Sequence, residues 1–214
     1  MTMATADFQR PRKSEGMTLA ARAHIYQFIA SVLTSHPTLE TVQAVRDMAR
    51  VLGIAGRDDW SLAEVDQDYS ALFVVPSPRY AAPYESVYRD AWESRISPGE
   101  HASTGDNRST LIKGLLMGDS TLEVKRCYSE AGVFPSGDIP DHIGNELRFM
   151  ACLCVRRASA PDDGERFADL QARFRNDHLL KWLDLLGQRI RESERVGFYS
   201  LVLQVAALVL RSDT

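Results

Sequence analysis

The sequence has few cysteines and no long apolar run, and each shortage excludes a class of protein. Its three cysteines are an odd number without a C-x-x-C spacing, so neither a disulfide framework nor a zinc ribbon is expected. The most apolar segment, 196–210, is shorter than the ~20 residues that a membrane span requires. No export signal is visible, because Arg22 and His24 interrupt the first apolar stretch. We therefore expect a cytoplasmic protein with buried thiols and no membrane insertion.

Motifs that mark common enzyme classes are also missing. There is no G-x-G-x-x-G, no G-x-x-x-x-G-K, no H-E-x-x-H and no G-x-S-x-G. The five histidines are scattered, with no pair at the spacing of metal ligands. Cys152 and Cys154 stand about 200° apart around a predicted helix, so they cannot chelate one metal ion together. We predict no cofactor, no metal and no catalytic residues, and we do not expect an enzyme.

Positive charge does not predominate either. The 25 lysines and arginines against 29 acidic residues give a net charge of −4, whereas a general nucleic-acid binder needs a basic surface. A mildly acidic surface suits a basic partner instead. The 214 residues are enough for one large domain with a core of its own. We therefore expect a globular protein that binds no nucleic acid.

What the sequence does contain is helical periodicity along almost its whole length. Apolar residues recur three and four positions apart, and no alternation typical of a strand exceeds four residues. This pattern predicts an all-α fold, a single globular bundle of about nine or ten helices over 17–214. A polar, disordered tail is predicted at 1–16, and a hinge-like break at 132–138. The predicted helices cover about 19–35, 39–52, 61–73, 85–95, 111–117, 120–131, 140–158, 163–186 with a break near Asp177, and 193–210.

Polar residues mark several of the helix ends. Thr38 is placed to cap the second helix, and Gly53 follows the end of that helix. Ser61 and Glu64 have the spacing of a capping box. After the third helix, three prolines between 74 and 83 remove backbone donors, which predicts an ordered or extended loop.

Aromatic residues flank this proline loop. The segment before it is D-x-Y-x-x-L-F, and the segment after it reads P-Y-E-S-V-Y. As core residues these rings would simply be buried, whereas as walls of a groove they would accept an extended or helical peptide. The residues that would form such a groove are Tyr69, Leu72, Phe73, Pro83, Tyr84, Glu85, Ser86 and Tyr88.

The segment 139–147 opens a predicted helix and carries a second group of polar residues. Pro140 stands in the first turn, where its missing backbone donor is harmless. Asp138 or Asp141 can accept hydrogen bonds from the free N–H groups at the helix start, and either carboxylate suits the positive helix end. His142 and Glu146 lie one turn apart on an adjacent face. On a structural interpretation Asp141 is a cap and His142 an ordinary helix-start histidine; on a functional one, these carboxylates and the aromatic rings suit a ligand that contains arginines.

These segments, together with an amphipathic helix at 174–183, carry a resemblance to a known family. The chain resembles the TorD/DmsD/NarJ-type redox-enzyme maturation chaperones from about residue 17 to 210. The matching motifs are Y-x-x-L-F, P-Y-E-S-V-Y, Y-S-E-A-G-V at 128–133, P-D-H-I-G-N-E-L-x-F-M at 140–150 and D-H-L-L-K-W-L at 177–183. The P-D-H-x-G-x-E-L block is the specific part of this match.

The resemblance implies a TorD-like helical chaperone that binds the twin-arginine signal peptide of a molybdopterin enzyme's catalytic subunit and delays export until the cofactor is inserted. It places Asp141 and His142 in the peptide site, with Pro140, Glu146 and the aromatic groove nearby. Tyrosines at two groove positions, where some relatives have tryptophan, imply a different groove shape. Some relatives bind guanine nucleotide, but without a phosphate loop we do not expect one here. A domain-swapped homodimer, with the 132–138 break as its hinge, stays open.

Two other functions also stay open at this point. Asp141, His142 and Glu146 could serve as acid–base groups of a small hydrolase or of a nucleotide-dependent assembly factor, although the sequence offers no nucleophile or metal beside them. A purely structural assembly subunit is the third hypothesis. The motifs favour the chaperone, and the sequence does not name the molybdenum oxidoreductase that would be its client.

Overall fold

The computed structural model describes residues 17–57, 59–94, 110–114, 116–134, 139–159 and 162–213. The predicted tail and most of the predicted hinge lie outside these residues. Within them no helix is both long and apolar enough to cross a bilayer. The described residues form nine α-helices: α1 (Leu19–Thr34), α2 (Leu39–Val51), α3 (Leu62–Tyr69), α4 (Glu85–Arg89), α5 (Asp119–Glu130), α6 (Ile143–Ser159), α7 (Gly164–Phe174), α8 (Leu180–Ser193) and α9 (Phe198–Ser212). The prediction of an all-α bundle is confirmed.

The N-terminal helices begin where polar side chains satisfy their free N–H groups. Thr38 Oγ1 accepts a hydrogen bond from the backbone N–H of Thr41 at 3.2 Å. Ser61 and Glu64 form both halves of the predicted capping box. Gly53, just past the end of α2, has a φ of +66°, which glycine adopts without strain. The local signals in the sequence therefore set these helix ends as predicted.

The core is centred on α6, which packs between α1 and α7. The predicted apolar stripe of α6 is fully buried, and it consists of Ile143, Leu147, Met150 and Cys154. α9 packs against α8 and also reaches α1 and α2. The last of the described helices therefore closes over the first two, and α6 offers a rigid base for the polar segment that precedes it.

The chain departs from the predictions between α4 and α5. The predicted helix at 85–95 is wrong in its second half, because α4 is followed by the strand β1 (Ala91–Ser94). The predicted helix at 111–117 is wrong, because its first residues belong to β2 (Thr110–Lys113), which pairs antiparallel with β1. This one two-stranded hairpin among the described residues leaves the all-α class unchanged.

Asp90 explains where α4 stops. Its backbone leaves the helix with an extended conformation (φ −89°, ψ 144°). Its carboxylate accepts hydrogen bonds from the backbone N–H and the hydroxyl of Ser120, at 3.0 and 2.9 Å, and so caps the start of α5. A cap supplied from thirty residues earlier in the chain leaves no trace in the local periodicity, which is why the sequence predicted a longer helix.

Two π-helical turns interrupt the regular helices. The turn at Arg175–Leu179 separates α7 from α8, which confirms the break predicted near Asp177. The turn at Ser70–Val74 carries α3 into the proline loop. Such turns are frequent at functional sites because they redirect the side chains that follow. One of these two turns contains His178, which lies beside Glu85.

A buried polar network joins α1, α7 and the end of α9. The guanidinium of Arg22 forms an ion pair with Asp213, and both side chains are almost completely buried. Tyr26 Oη and Gln171 Nε2 donate to the other carboxylate oxygen of Asp213, at 2.9 and 2.5 Å. Burial raises the pKa of Tyr26, and Asp213 raises it further, so the phenol remains a donor. The network satisfies Asp213 but makes the buried charge of Arg22 depend on one carboxylate.

We therefore expect Asp213→Ala to destabilise the fold by about 3–5 kcal/mol, because it leaves a buried guanidinium unpaired. Tyr26→Phe should cost about 1.5–3 kcal/mol, the value of a hydrogen bond to a charged group. The free energy of unfolding in urea measures both. The matched control is Asp184→Ala, which removes an exposed carboxylate from its pair with Arg211 and should change stability by under about 1 kcal/mol. Equal losses in the two alanine variants would contradict the prediction.

Candidate functional site

Two segments that are far apart in the sequence meet at the starts of α4 and α6. The backbone N–H of Ile143 donates to the carbonyl of Pro83 at 2.9 Å, and that of Glu85 donates to the carbonyl of Asp141 at 3.0 Å. Between these hydrogen bonds, Tyr84 and the residue before Ile143 pair as an antiparallel bridge. The first two segments singled out in the sequence thus form one structural unit, which we call the 84/142 bridge.

Asp141 caps a helix, but not the helix that follows it. Its Oδ2 accepts the backbone N–H of Ser86 at 2.8 Å, which places the carboxylate at the N-terminus of α4, 55 residues away in the chain. Tyr84, the residue that precedes α4, provides no side-chain cap of its own. Asp141 is fully buried, and its Oδ1 has no hydrogen-bond partner within the described ranges. A buried carboxylate oxygen without a partner is costly and therefore points to a role beyond capping.

His142 takes the capping position that the sequence assigned to Asp141. Its Nδ1 accepts the backbone N–H of Gly144 at 3.0 Å, in the first turn of α6. The ring also meets Tyr84 edge-on, with centroids 5.2 Å apart, and both side chains are half-buried. A side chain at Gly144 would collide with Thr34 at 2.3 Å, so only glycine allows α1 to approach this close. The partly exposed Tyr84 and His142 rings form the accessible face of the bridge.

Two buried acids lie in the helices that the bridge positions. Glu85 accepts a hydrogen bond from Arg89 and lies 3.0 Å from His178 Nδ1. Glu146 accepts a hydrogen bond from Trp182 Nε1 at 3.1 Å. Burial raises the pKa of Glu146 well above its ordinary value, and the charge of Glu85 raises it further, while the Trp182 hydrogen bond acts in the opposite direction. Burial and the neighbouring Glu85 thus favour the protonated, uncharged form of Glu146.

His178 and Trp182 are the site residues that the sequence reasoning missed. They occupy neighbouring positions one helical turn apart, and both are buried. Trp182 also stacks on Tyr88, with ring centroids 5.6 Å apart, which brings this groove residue to the same cluster. The spacing of His and Trp in D-H-L-L-K-W-L was the available signal, but only the fold shows that this face meets Glu85 and Glu146.

The remaining groove residues belong to a separate aromatic group. The ring of Tyr69 contacts His36, Phe73 and Tyr199, with centroid distances of 4.6, 5.6 and 6.2 Å. Tyr69 and Leu72 are buried in the core, whereas Phe73 is half-buried. The structure therefore divides the predicted groove into the 84/142 bridge and an aromatic group on the other side of the proline loop.

The proline loop is held in place by arginines, in agreement with the prediction of an ordered or extended segment. Arg79 pairs with the buried Asp68 and donates from Nε to the carbonyl of Ser193 at 2.6 Å. Arg189 of α8 donates from Nη2 to the carbonyl of Pro78 at 2.6 Å. Asp68 also accepts two backbone N–H groups from the connection between α8 and α9. The loop is thus fixed both to α3, which precedes it, and to the C-terminal helices.

The arrangement does not suit acid–base catalysis. Asp141 is occupied by the start of α4, His142 by the start of α6, and Glu146 by Trp182. In the part of the chain that the structure describes, no three His, Cys, Asp or Glu side chains are grouped so that they could hold a metal ion. The polar groups at this junction hold backbone and rings in position.

Comparison with known proteins agrees with this geometry. Residues 37–187 match the family described as "Nitrate reductase delta subunit". The chain is 26% identical over 193 residues to the chaperone protein TorD of Photobacterium profundum, covering 89% of this chain and 80% of that protein. It is 25% identical over 217 residues to the chaperone protein TorD of Aliivibrio fischeri, covering 90% and 92% of the two chains.

A solved structure of a redox enzyme maturation protein from Archaeoglobus fulgidus aligns with 97% of this chain and 98% of its own, at 16% identity and a TM-score of 0.47. The family match alone spans well over half of the chain. The chain therefore belongs to the nitrate reductase delta subunit family, and it is a redox-enzyme maturation chaperone of the TorD/DmsD/NarJ type rather than an enzyme.

Proposed function

We propose that this chaperone binds, in the cytoplasm, the twin-arginine signal peptide of the catalytic subunit of a molybdopterin-containing oxidoreductase. It would hold that subunit until cofactor insertion and folding are complete, and only then release it for export. Support comes from the family match and from the similarity to TorD chaperones. The segments at 140–150 and 177–183 also resemble motifs of this family. The proposal requires neither a nucleotide nor a second copy of the chain.

The observation that carries the proposal is the 84/142 bridge. It presents two half-buried rings, Tyr84 and His142, whose backbones are fixed by hydrogen bonds on both sides. Rings that are rigid before binding lose little conformational entropy when a peptide packs on them. An arginine of the peptide can stack on such rings and donate hydrogen bonds at the same time.

Asp141, the buried residue next to His142, supplies the negative charge for this surface. Its carboxylate is buried, and one of its oxygens lacks a hydrogen-bond partner among the described residues. A charge in a medium of low dielectric acts over a longer distance than one in water. We therefore assign Asp141 a positioning and electrostatic role toward a cationic peptide, while Tyr84 and His142 make the contacts.

The apolar run of a signal peptide needs a second, apolar surface. Val74 and Val75 follow Phe73 directly at the end of the π-helical turn, and both are about half exposed. The proline loop runs from these valines to the 84/142 bridge, and a hydrogen bond from the backbone N–H of Ala81 to the carbonyl of Leu72, 2.8 Å long, holds the two ends of the loop together. The loop thus joins a polar, aromatic surface to an apolar one, in keeping with a peptide that has arginines followed by an apolar run.

The client assignment predicts that a synthetic twin-arginine signal peptide binds with a dissociation constant of about 1 μM, ~8 kcal/mol. Glutamine at both arginines of the peptide should weaken binding, and so should polar substitutions in its apolar run. Isothermal titration calorimetry with matched peptides measures each contribution. If no twin-arginine peptide from the host binds, or the glutamine peptide binds equally well, the proposed client is wrong.

The assignment of Asp141 and His142 predicts loss of affinity without loss of fold. Asn caps a helix about as well as Asp, so Asp141→Asn should leave the melting temperature nearly unchanged while it removes the charge. His142→Gln retains hydrogen-bonding capacity at the start of α6. Both variants should bind the signal peptide at least several-fold more weakly, which corresponds to a loss of roughly 1 kcal/mol or more of binding free energy. The control is Asp47→Asn, which changes an exposed carboxylate on α2. If both site variants bound the peptide with wild-type affinity, Asp141 and His142 would be helix caps only.

Tyr84 and Tyr88 should respond differently to substitution. Tyr84→Ala removes a ring of the exposed face and should weaken peptide binding by roughly 1–3 kcal/mol, with a smaller effect on stability. Tyr88→Ala removes a ring that stacks on the buried Trp182, so its main effect should be a loss of stability of about 3 kcal/mol. Thermal melts beside peptide titrations separate the two effects. If Tyr84→Ala mainly lost stability and Tyr88→Ala mainly lost peptide affinity, Tyr84 would be a core residue and Tyr88 would belong to the binding face.

A further inference from the structure

A cysteine, a histidine and a glutamate from three different elements lie in line beside the 84/142 bridge. The Sγ of Cys127 on α5 is 3.9 Å from Nε2 of His178 in the π-helical turn. The Nδ1 of His178 is in turn 3.0 Å from a carboxylate oxygen of Glu85 on α4. A thiol, an imidazole and a carboxylate in this order form the arrangement that activates a nucleophilic cysteine.

The orientation of the histidine ring is fixed from several sides. His178 is 4% exposed, and its ring lies against Phe174 with centroids 4.9 Å apart. Glu85 holds Nδ1, which leaves only Nε2 facing the thiol. The carboxylate of Glu85 is itself fixed by Arg89, whose guanidinium also donates to the backbone carbonyl of Asp177 at 2.8 Å. The imidazole therefore cannot turn away from Cys127 without breaking its hydrogen bond to Glu85.

The charge of the site favours a reactive sulfur. Burial lowers the pKa of His178, but its hydrogen bonds with Cys127 and Glu85 and the charge of Glu85 raise it more, to about 9. The ring is therefore an imidazolium at neutral pH, with one N–H directed at Glu85 and the other at the sulfur. A cation beside a thiol stabilises the thiolate, which is the nucleophilic form.

We propose that Cys127, with His178 and Glu85, is a nucleophilic thiol site at which peroxides modify this chain. The thiolate sulfur attacks one oxygen of hydrogen peroxide and forms the S–O bond of a sulfenic acid while the O–O bond breaks. The leaving hydroxide takes the proton from His178 Nε2 and departs as water. Sulfur is oxidised, and the peroxide is reduced. The inference does not depend on the proposed client, and it assigns no catalytic turnover to the protein.

The other two cysteines are internal controls. Cys152 is half-buried like Cys127, but among the described residues no imidazole lies against it. Cys154 is fully buried, and burial raises its pKa to about 11, with Asp213 contributing to the rise. The protein thus contains one control thiol, Cys152, whose exposure is comparable to that of Cys127, and a second, Cys154, that is fully buried.

Among the described residues, charged and titratable groups surround His178 on several elements. Glu85 and Arg89 face it from α4, and Cys127 faces it from α5. Behind them, Glu146 of α6 interacts with Glu85, and Asp141 interacts with Glu146.

The test is peroxide oxidation of the full-length folded protein in the presence of dimedone, with the adducts located by mass spectrometry. At neutral pH the adduct should form at Cys127 about tenfold faster than at Cys152, and none should form at Cys154. His178→Gln should bring the rate at Cys127 down to that at Cys152. Equal rates at the two half-buried cysteines in the wild type, or an unchanged rate in His178→Gln, would overturn the proposal.

A variant that failed to fold would reveal itself, because Cys154 would then become reactive. In that event the wild type decides, through its rates of alkylation by iodoacetamide at neutral pH. Cys127 should be alkylated about tenfold faster than Cys152, because the imidazolium favours the nucleophilic thiolate. If the two cysteines are alkylated at the same rate, the imidazolium has no effect on the sulfur, and the proposal is wrong.

Discussion

The hydrogen bond from the backbone of Ser86 to the carboxylate of Asp141 is the interaction on which the site depends. It ties the start of α4 to the segment before α6, and two backbone hydrogen bonds beside it complete the link. Because α4 is only five residues long, it has little stability of its own and needs this external cap. The position of Glu85, and through it the partners of His178, follows from the same link. One carboxylate thus organises both the proposed peptide surface and the thiol site.

Much of the fold could be predicted because its signals are local. The caps at Thr38 and at Ser61, and the apolar stripe of α6 from Ile143 onward, depend on residues within one or two turns of each other. The hairpin after α4 could not be predicted in this way, because Asp90 leaves the helix in order to cap α5. Where a polar side chain leaves one helix to cap a distant one, the local periodicity predicts a helix that is too long.

The candidate site shows the same limit. The sequence singled out Asp141 and His142 as polar residues at a helix start, but it assigned the cap of that helix to an aspartate rather than to His142. His142 caps the helix that follows, and Asp141 caps a helix 55 residues earlier. For the same reason, the sequence could not show that His178 contacts Glu85 or that Trp182 contacts Glu146. Motifs marked the segments that matter, whereas their roles depend on contacts that only the fold creates.

The ion pair between Arg22 and Asp213 also governs when this protein can finish folding during its synthesis. α1 leaves the ribosome early, with a guanidinium on the face that will be buried, and the carboxylate that neutralises it is translated some 190 residues later. Until then the first helix cannot complete its packing without burying an unpaired charge. We therefore expect the packing of α1 to be completed only after α9 has been translated. A nascent chain stalled before that point should be more exposed to proteases than the finished protein.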